Sequence, residues 1–339
     1  MEDLLTIEEL RVSYHTYAGE VEAVRGVNFS VKKGETLAIV GESGCGKSVT
    51  AKSIMGLIQI PPGEIKEGSK ILLNGKNLLE QSEKEWENCR GARCAMIFQD
   101  ALTALNPTMR IGKQVAENII NHRKAGKEEI RNRVIELLKL VGIADAEGCV
   151  KKYPHELSGG MRQRVMIATA LAGNPDILIA DEPTTALDVT IQAQILDLLS
   201  EIQKKLNMTV ILITHDLGVV ANSADRVVVM YSGKVVEKGR CTEIFEEHRH
   251  PYTWALLKAA PDMELGHKQR LVAIEGTPPD LILPPKGCPF ADRCSYCMNI
   301  CLEVESPEYT FGDKHSVFCW LYHPDSGRAD IVFDEGEIE

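Results

Sequence analysis

Residues 36–48 read TLAIVGESGCGKS, and this stretch decides the fold. Its second part, residues 41–48, matches the phosphate-binding pattern G-x-x-x-x-G-K-[S/T]. The apolar run before it is typical of a buried strand, and residues 51–58 after it are typical of a helix. Strand, glycine-rich loop and helix are the context that the motif requires. The sequence therefore predicts an α/β domain that holds a phosphate-bearing ligand at this loop.

The chemistry of such a loop follows from its glycines, its lysine and its hydroxyl. Glycine lets the backbone curl so that successive N–H groups point at phosphate oxygens, and the next helix adds the positive end of its dipole. We expect Lys47 to reach the β- and γ-phosphates and the Ser48 hydroxyl to bind Mg²⁺. A chance glycine-rich turn is the alternative, and the flanking elements argue against it. The predicted nucleotide-binding residues here are Gly41, Ser43, Gly44, Cys45, Gly46, Lys47, Ser48 and Val49.

Polar residues also follow two later apolar runs. Asp181 and Glu182 end the run that begins at Ile177, and His215 follows residues 210–214. Ligands of open α/β sheets bind at the carboxyl ends of the strands. We therefore expect Asp181 to hold Mg²⁺, Glu182 to polarise an attacking water as general base, and His215 to contact the γ-phosphate. Helix capping by the acidic pair and a purely structural histidine are the alternatives.

Three continuous apolar runs, at residues 177–180, 210–213 and 227–230, indicate strands buried on both faces of a parallel sheet. A helical stretch at residues 191–206 lies between the first two runs. Strand, helix and strand at this spacing predict an α/β fold. Residues 113–142 are predicted to be helical as well, because their apolar side chains recur on one face.

Composition excludes several classes of protein. The chain has 339 residues, 44% of them hydrophobic and 26% charged, which excludes a disordered or fibrous chain. A net charge of −11 and only 5% aromatic residues argue against a nucleic-acid partner. No run of 18 apolar residues occurs, so no transmembrane helix is predicted. The N-terminus lacks the basic region of a signal peptide, and we expect a cytosolic location.

The sequence changes character after about residue 245, where proline and glycine become frequent. We predict a core domain at residues 1–250 and a C-terminal extension at residues 251–339. Five of the ten cysteines fall in residues 288–319, and in a reducing compartment such a cluster indicates a metal site before it indicates disulfides. Residues 330–339 are half acidic and are predicted to be a solvated tail.

The stretch LSGGM at residues 157–161 identifies the class, since P-loop kinases and GTPases have no reason to carry it. Together with the motifs above, it makes the sequence similar to the nucleotide-binding subunits of ABC transporters. The resemblance implies a P-loop ATPase core with a parallel sheet, an antiparallel β subdomain and a helical subdomain at about residues 100–165. It also implies that Ser158, Gly159 and Gly160 bind the nucleotide of the opposite subunit, at a second helix N-terminus.

The same resemblance assigns further residues. Tyr14 stands where the family stacks an aromatic ring on adenine, with an ordinary strand tyrosine as the alternative. Gln99 matches the glutamine that senses Mg²⁺ and the attacking water. Residues 186–188, which end in Asp188, match the D-loop, and His215 matches the switch histidine. All five major motifs are intact, which implies that the site hydrolyses ATP.

Three further segments are similar to the di- and oligopeptide permease branch of the family: residues 99–107 (QDALTALNP), 111–114 (IGKQ) and 250–253 (HPYT). In that branch, four C-terminal cysteines bind a [4Fe–4S] cluster, and the matching positions are Cys288, Cys294, Cys301 and Cys319. Cys297 is an extra thiol within this segment. Thiolates also suit zinc, with a histidine such as His315 as a partner, so zinc stays open as an alternative.

The resemblance implies ATP hydrolysis that powers import of di- or oligopeptides from the cytoplasmic face of the cell membrane. The implied partners are a second ATP-binding subunit, in a hetero- or homodimer, two transmembrane permease subunits and, indirectly, an extracytoplasmic substrate-binding protein. Nickel or oligosaccharide cargo is an alternative, because an ATPase subunit does not touch cargo. An iron–sulfur regulatory ATPase is a rival of another class. A soluble ABC ATPase of translation or DNA repair is a weaker one, since this chain has one cassette and no heptad run.

Overall fold

The computed structural model describes residues 3–185, 187–259, 274–312 and 314–327. The acidic tail predicted at residues 330–339 and Ala186 of the predicted D-loop lie outside the described residues. Within the described part, the strands are β1 (Asp3–Thr16), β2 (Gly19–Lys32), β3 (Thr36–Val40), β4 (Gly63–Ile65), β5 (Lys70–Leu73), β6 (Lys76–Asn77), β7 (Cys94–Ile97), β8 (Ile177–Asp181), β9 (Thr209–Ile213), β10 (Arg226–Tyr231), β11 (Lys234–Arg240), β12 (Tyr309–Phe311) and β13 (His315–Val317).

The helices of the same part vary from one turn to five. Among the described residues, none combines the length and the apolar character that crossing a membrane requires. They are α1 (Lys47–Ile54), α2 (Glu83–Cys89), α3 (Ala101–Ala104), α4 (Ile111–His122), α5 (Lys127–Leu140), α6 (Ala146–Cys149), α7 (Gly159–Leu171), α8 (Val189–Leu206), α9 (Leu217–Ser223), α10 (Cys241–Glu246), α11 (Pro251–Lys258) and α12 (Asn299–Glu303).

The main sheet has eight strands in the order β12-β13-β11-β10-β3-β9-β8-β7. From β10 to β7 all neighbours are parallel, and the other pairs are antiparallel. Every residue of β3, β8 and β9 is buried, which explains why these strands are continuous apolar runs rather than alternating ones. The predicted α/β fold around a parallel sheet is confirmed.

A second, antiparallel sheet is built from the long hairpin β1–β2, with β5 and β6 beyond β1 and with β4 paired to the far end of β1. Its inner face packs on one side of the main sheet, where Leu5, Val27 and Ile71 share an apolar cluster with Ile39 of β3. This is the antiparallel β subdomain that the family resemblance implied. Its hairpin carries Tyr14 on β1.

Helices α4, α5 and α7 pack together and against the other face of the main sheet. The sequence predicted helix throughout residues 113–142, and this is wrong for residues 123–126, where α4 has ended at His122 and α5 has not begun. The break has a physical reason: this stretch reads RKAG, so it offers no large apolar side chain to bury, and Gly126 is a poor helix former. Gly126 instead caps α5.

Helix α1 lies four residues earlier than the predicted stretch 51–58, since it runs from Lys47 to Ile54. Gly56 follows it with a φ of +61°, a left-handed conformation that suits a helix end. A Cβ at this position would lie 2.7 Å from the ring of Trp86, so the close approach of that ring also requires glycine. Residues 55–58 therefore leave the helix and turn towards β4.

The C-terminal extension shares the main sheet with the core. Strand β13 pairs with β11, so no break in the sheet coincides with the boundary predicted after residue 250. Phe290 of the extension packs against Tyr231 of β10 and Tyr252 of α11, with ring centroids 5.3 Å away from each. Sequence periodicity could not reveal the pairing of β13 with β11, because β13 has only three residues. The contact between Phe290 and Tyr231 thus joins the extension to the core.

We expect Phe290→Ala to lower the free energy of unfolding by about 3–5 kcal/mol, the usual range for removal of a buried phenylalanine ring. Phe290 is 2% exposed, so the loss would leave a cavity beside Tyr231 and Tyr252. The measurement is denaturant unfolding followed by fluorescence. Leu283→Ala is the control, because Leu283 is 85% exposed, and it should change stability by less than about 0.5 kcal/mol. Equal, small effects of both variants would mean that the cluster does not stabilise the extension.

Candidate functional site

The phosphate loop leaves the carboxyl end of β3 and enters α1, and its shape requires glycine at two positions. Gly41 has a φ of +149°, and a Cβ there would lie 2.1 Å from the carbonyl oxygen of Met230. Gly46 has a φ of +101°, and its Cβ would lie 2.5 Å from the carbonyl oxygen of Ala23. Gly44, by contrast, has no atom within 4 Å of its Cβ position. The loop is therefore pressed against β10 at Gly41 and against β2 at Gly46, and it is open at Gly44, where a phosphate chain has room.

Lys47 and Ser48 lie at the start of α1. The Lys47 side chain is buried and folds back over the loop, where its Nζ donates to the carbonyl oxygens of Gly41 at 2.7 Å and Glu42 at 2.9 Å. The Ser48 hydroxyl donates to Asp181 Oδ1 at 2.9 Å. The structure thus brings together the predicted phosphate ligand, Lys47, and two of the three predicted Mg²⁺ ligands, Ser48 and Asp181.

Asp181 is the last residue of β8 and is 5% exposed. Burial raises the pKa of this carboxyl, and the hydrogen bond from Ser48 offsets part of the effect. The charge of Glu182 next to it also raises the pKa. A divalent cation between Asp181 and Ser48 would favour the ionised carboxylate and satisfy it. The donor set, a carboxylate and a hydroxyl, fits Mg²⁺.

Glu182 lies at the centre of a small polar network. Its Oε2 accepts hydrogen bonds from Gln99 Nε2 at 3.0 Å and Thr185 Oγ1 at 2.9 Å, and its Oε1 lies 3.4 Å from His215 Nδ1. Its backbone has a φ of +46°, which is strained for a residue with a side chain and is often found at functional sites. The backbone N–H holds this conformation by donating to Ile213 of β9 at 2.9 Å. The three predicted catalytic residues therefore meet at one carboxylate.

Thr185 is a member of this network that sequence reasoning missed. Its hydroxyl contacts both the carboxylate and the main-chain oxygen of Glu182. The signal was present in the sequence, since a threonine three residues after a loop carboxylate can close a local turn onto it. Its effect is to fix one oxygen of Glu182 and leave the other towards His215.

The remaining predicted residues lie away from this network. Tyr14 is half-buried on β1, opposite Val21 of β2 and Gly63 of β4. Ser158 is exposed and caps α7, where its hydroxyl accepts from the N–H of Met161 at 3.3 Å. Gly159 is exposed and Gly160 is half-buried. In the part of the chain that the structure describes, no hydrogen bond joins residues 158–160 to the phosphate loop.

Asp188 is exposed and caps α8, because its Oδ1 accepts from the N–H of Ile191 at 3.0 Å. The predicted D-loop thus ends in a helix cap, which is compatible with the ordinary structural role of an aspartate. Leu187, the middle residue of this loop, lies 3.6 Å from the position that a Cβ on Gly159 would take. The D-loop and the LSGG stretch are therefore neighbours within this chain.

The four predicted cluster ligands surround one cavity in the C-terminal extension, together with His250. All four are buried or half-buried, and the N–H of Cys288 donates to the carbonyl oxygen of Cys301 at 2.7 Å. Burial raises the pKa of Cys288 and of Cys294 to about 12. Thiolates in such a place need a positive group to remain ionised, as a bound metal supplies.

The positions of these sulfurs can be compared with those of a zinc site. A tetrahedral zinc site with Zn–S bonds of about 2.3 Å places its sulfurs about 3.8 Å apart. Among the described residues, no three cysteine sulfurs lie within 4.8 Å of one another, so the thiols are not arranged as a closed zinc site. In the described part of the chain, the one trio that meets this limit is His15, Glu20 and Glu64, of which the first two are exposed and the third is half-buried. Lys66 already pairs with both carboxylates of this trio.

His250 gives a second indication about the cavity. Its Nδ1 accepts from the N–H of Tyr252 at 3.0 Å, and burial lowers its pKa to about 4, so the ring is neutral with the proton on Nε2. This Nε2 is buried and has no hydrogen-bond partner among the described residues, and His250 is one of the residues that line the cavity. A sulfur-rich group in the cavity could accept a hydrogen bond from this Nε2–H group. His315 does not line the cavity and is bound to Glu237 at 2.7 Å, which argues against it as a zinc ligand.

The fold and the site define a P-loop ATPase: a phosphate loop after β3, Mg²⁺-type ligands on α1 and β8, and a carboxylate poised beside them on the next residue. The chain matches the ABC transporter family at residues 24–185, and the oligopeptide/dipeptide transporter C-terminal region at residues 236–301. It belongs to the ABC transporter family, as an ATP-binding subunit, and is an ATPase of that family.

Proteins of similar sequence and structure support this assignment. The oligopeptide transport ATP-binding protein OppD of Bacillus subtilis is 58% identical over 96% of this chain and 91% of its own length. The dipeptide transport ATP-binding protein DppD of the same organism is 54% identical over 98% and 99%. A dimeric ATP-binding cassette solved in a post-hydrolysis state with ADP and Pi superposes with a TM-score of 0.63, at 29% identity, over 70% of this chain and 98% of that one.

Asp181→Asn should stabilise the nucleotide-free protein at neutral pH while removing Mg²⁺-dependent hydrolysis. Because the pKa of Asp181 is raised in the folded state, the unfolded state loses this proton first, and stability falls as pH rises from about 4 through the folded pKa. Asparagine does not ionise, so the variant does not lose stability in this way. The melting temperature of the variant minus that of the wild type should therefore grow with pH and then level off.

The measurement is thermal unfolding between pH 4 and pH 8 without nucleotide or Mg²⁺. Asp197→Asn is the matched control, since Asp197 is exposed on α8, and it should not raise the melting temperature at neutral pH. A difference for Asp181→Asn that shrinks as pH rises would contradict the sign of this pKa shift.

Proposed function

We propose that this chain hydrolyses ATP to power the import of di- or oligopeptides through a membrane ABC transporter. The single observation on which the assignment of peptide cargo rests is the match of residues 236–301 to the C-terminal region of oligopeptide/dipeptide transporters. The relatives named above, which are oligopeptide and dipeptide transport proteins aligned over nearly the whole chain, support it. An ATPase subunit does not contact the cargo, so nickel or oligosaccharide transport is kept as an outcome of the test.

In the proposed mechanism, Glu182 is the general base that orients water in line with the γ-phosphate. Gln99 and Thr185 hold one of its oxygens, and the other faces His215. On substrate binding, Lys47 exchanges its two main-chain acceptors for phosphate oxygens, which costs little because its ammonium stays fully bonded.

The remaining proposed ligands are divided between Mg²⁺ and the transferring phosphate. Ser48, Asp181 and Gln99 are the proposed Mg²⁺ ligands, and the ion would neutralise charge on the β- and γ-phosphates. His215 would donate to the γ-phosphate as its charge develops. These roles need the open side of the loop at Gly44 to admit the phosphate chain. Tyr14 is the proposed adenine-stacking residue.

The exposed LSGG stretch supports a dimer in which each ATP lies between two subunits. Ser158 and Gly159 open α7 at the surface, so their N–H groups and the helix dipole are available to an external anion. We propose that they bind the nucleotide of a second ATP-binding subunit, identical or similar to this one. The dimer would act with two membrane permease subunits on the cytoplasmic face, and indirectly with an extracytoplasmic substrate-binding protein.

We propose a [4Fe–4S] cluster in the C-terminal cavity, with Cys288, Cys294, Cys301 and Cys319 as its ligands. Such a group supplies the positive charge that keeps four buried thiolates ionised. The four cysteines line one cavity beside the buried His250, which supports a bound group at this place. The extension has few apolar residues of its own, so a structural role for the cluster is enough to explain it.

Glu182→Gln should lower ATP turnover by ~10²–10⁴-fold, the usual range for loss of a general base. Nucleotide binding should survive, because the phosphate loop and its Lys47 are unchanged. In cells that lack the chain, uptake of a labelled tripeptide should be restored by the wild type and not by this variant. Both readouts are needed, since the first tests the base and the second tests the cargo.

Glu201→Gln is the matched control for this test. Glu201 is exposed on α8, and this variant should retain turnover and uptake. Normal turnover in Glu182→Gln would overturn the assignment of the base. Uptake of labelled nickel or oligosaccharide but not of peptide, with turnover intact, would reject the peptide cargo and leave the ATPase unaffected.

Anaerobically purified protein should be brown and contain about four iron and four sulfide per chain. Cys301→Ser should lose both, because Cys301 is buried at the cavity. Cys297→Ser should keep them, since Cys297 is exposed and does not line the cavity. Colourless wild-type protein with about one zinc would reject the cluster, and equal losses in both variants would reject the choice of ligands.

A further inference from the structure

Arg293 lies in the cysteine segment, and its guanidinium is fully hydrogen-bonded. Its Nη1 donates to Glu42 Oε2 at 2.7 Å and to the Tyr231 hydroxyl at 3.0 Å, while its Nη2 donates to Glu42 Oε1 at 3.1 Å. The other donors reach the main-chain oxygens of Ile274 at 3.0 Å and Glu275 at 2.8 Å. All five N–H groups are used, and the side chain is 5% exposed. A guanidinium whose five N–H groups all have acceptors is held in a single orientation.

Glu42 is the second residue of the phosphate loop and is held from three sides. Its carboxylate is bound by Arg293 in a bidentate pair. Its N–H donates to the Tyr252 hydroxyl at 2.9 Å, and its carbonyl oxygen accepts from Lys47 at 2.9 Å. Two of these three partners, Arg293 and Tyr252, come from beyond residue 250, and neither belongs to the loop itself. The path of the loop just after Gly41 is therefore set by the C-terminal part of the chain.

We propose that Arg293 is a positioning residue for ATP binding: through Glu42 it holds the phosphate loop in the shape that receives phosphate. The proposal rests on the ATP-binding role of residues 41–48 put forward above. A loop that is already ordered loses less conformational freedom when its ligand binds, so affinity rises. The cysteine segment, to which Arg293 belongs, is thus coupled to nucleotide affinity as well as to stability.

The geometry specifies arginine rather than a general positive charge. A lysine at position 293 would be a point charge with three donors, so it could not bridge both carboxylate oxygens, the Tyr231 hydroxyl and two main-chain oxygens together. Removal of either member leaves the other charge without its partner in a largely buried place, which is a larger loss than that of an exposed ion pair. Arg293→Lys is therefore an informative variant, since it keeps the charge and loses the fork.

The test compares Glu42→Gln, Arg293→Lys, Arg293→Met and the double variant Glu42→Gln with Arg293→Met. We expect the dissociation constant for ATP, titrated with a fluorescent ATP analogue, and the KM to rise about tenfold. The kcat should stay within about twofold, because the network around Glu182 is not touched. The double variant should be little worse than a single one, since both remove the same pair. A merely structural role would lower kcat and active fraction together instead.

Glu308→Gln is the matched control. It removes the ion pair between Glu308 and Lys238 of β11, 2.9 Å apart, which also joins the extension to the core but lies outside the phosphate loop. Its ATP affinity should equal that of the wild type. Equal weakening in Glu308→Gln and Glu42→Gln would overturn the proposal, because general docking of the extension would then explain the effect.

Wild-type affinity in Glu42→Gln would also overturn it. A wild-type chain that binds no ATP would instead reject the proposed function, so the two failures are distinguishable. If Arg293→Met does not fold, Glu42→Gln and Arg293→Lys decide the matter without it, since Glu42 is 24% exposed and the lysine variant keeps the charge.

Discussion

The pairing of β3 with β9 on one side and β10 on the other is the constraint on which the site depends. Ile39 lies opposite Ile213 of β9 and Val40 opposite Val229 of β10, so β3 is fixed up to the residue before the phosphate loop. The loop then passes so close to β10 that Gly41 has no room for a side chain. Because β8 pairs with β9 in the same parallel sense, Asp181 reaches the same edge. Sheet register, rather than loop flexibility, thus sets the distance between phosphate loop and carboxylate.

Much of this could be predicted from the sequence, and the part that could not has a common cause. Four strands of the buried sheet, β3, β8, β9 and β10, were predicted within a residue or two because continuous apolar runs are a local signal. The phosphate loop was predicted because its glycines are required where they stand, whereas β7 was not predicted. The break between α4 and α5 was missed because periodicity on both sides concealed four unremarkable residues. The contact between Arg293 and Glu42 joins residues 251 positions apart, and no local pattern carries such information.

The C-terminal extension has little apolar core of its own. Its own buried cluster is small: Val317, Cys319, Leu321 and Tyr322. A core of this size does not stabilise a segment by itself, and small segments of this kind commonly rely on metals or cross-links. Polar contacts with the core supply the rest, such as the bond from Tyr322 to the carbonyl oxygen of Arg249 at 2.9 Å. The extension is therefore best regarded as an edge of the ATPase, held by the sheet, by the aromatic cluster and by the cysteine cavity.

Burial divides the motif residues into two groups, and this division bears on how the ATPase works. Lys47 and Asp181 are buried and already bonded to neighbours, so their positions do not need a ligand or a partner. Gln99, Ser158 and Gly159 are exposed, and exposed donors bind an anion weakly because water competes for them. Electrostatic stabilisation of a transferring phosphate is strong only where water is excluded. A single chain therefore holds the buried residues in place and leaves the exposed ones open to water. In the proposed dimer, a second subunit would cover the exposed residues and exclude water from the bound ATP, which would allow it to react.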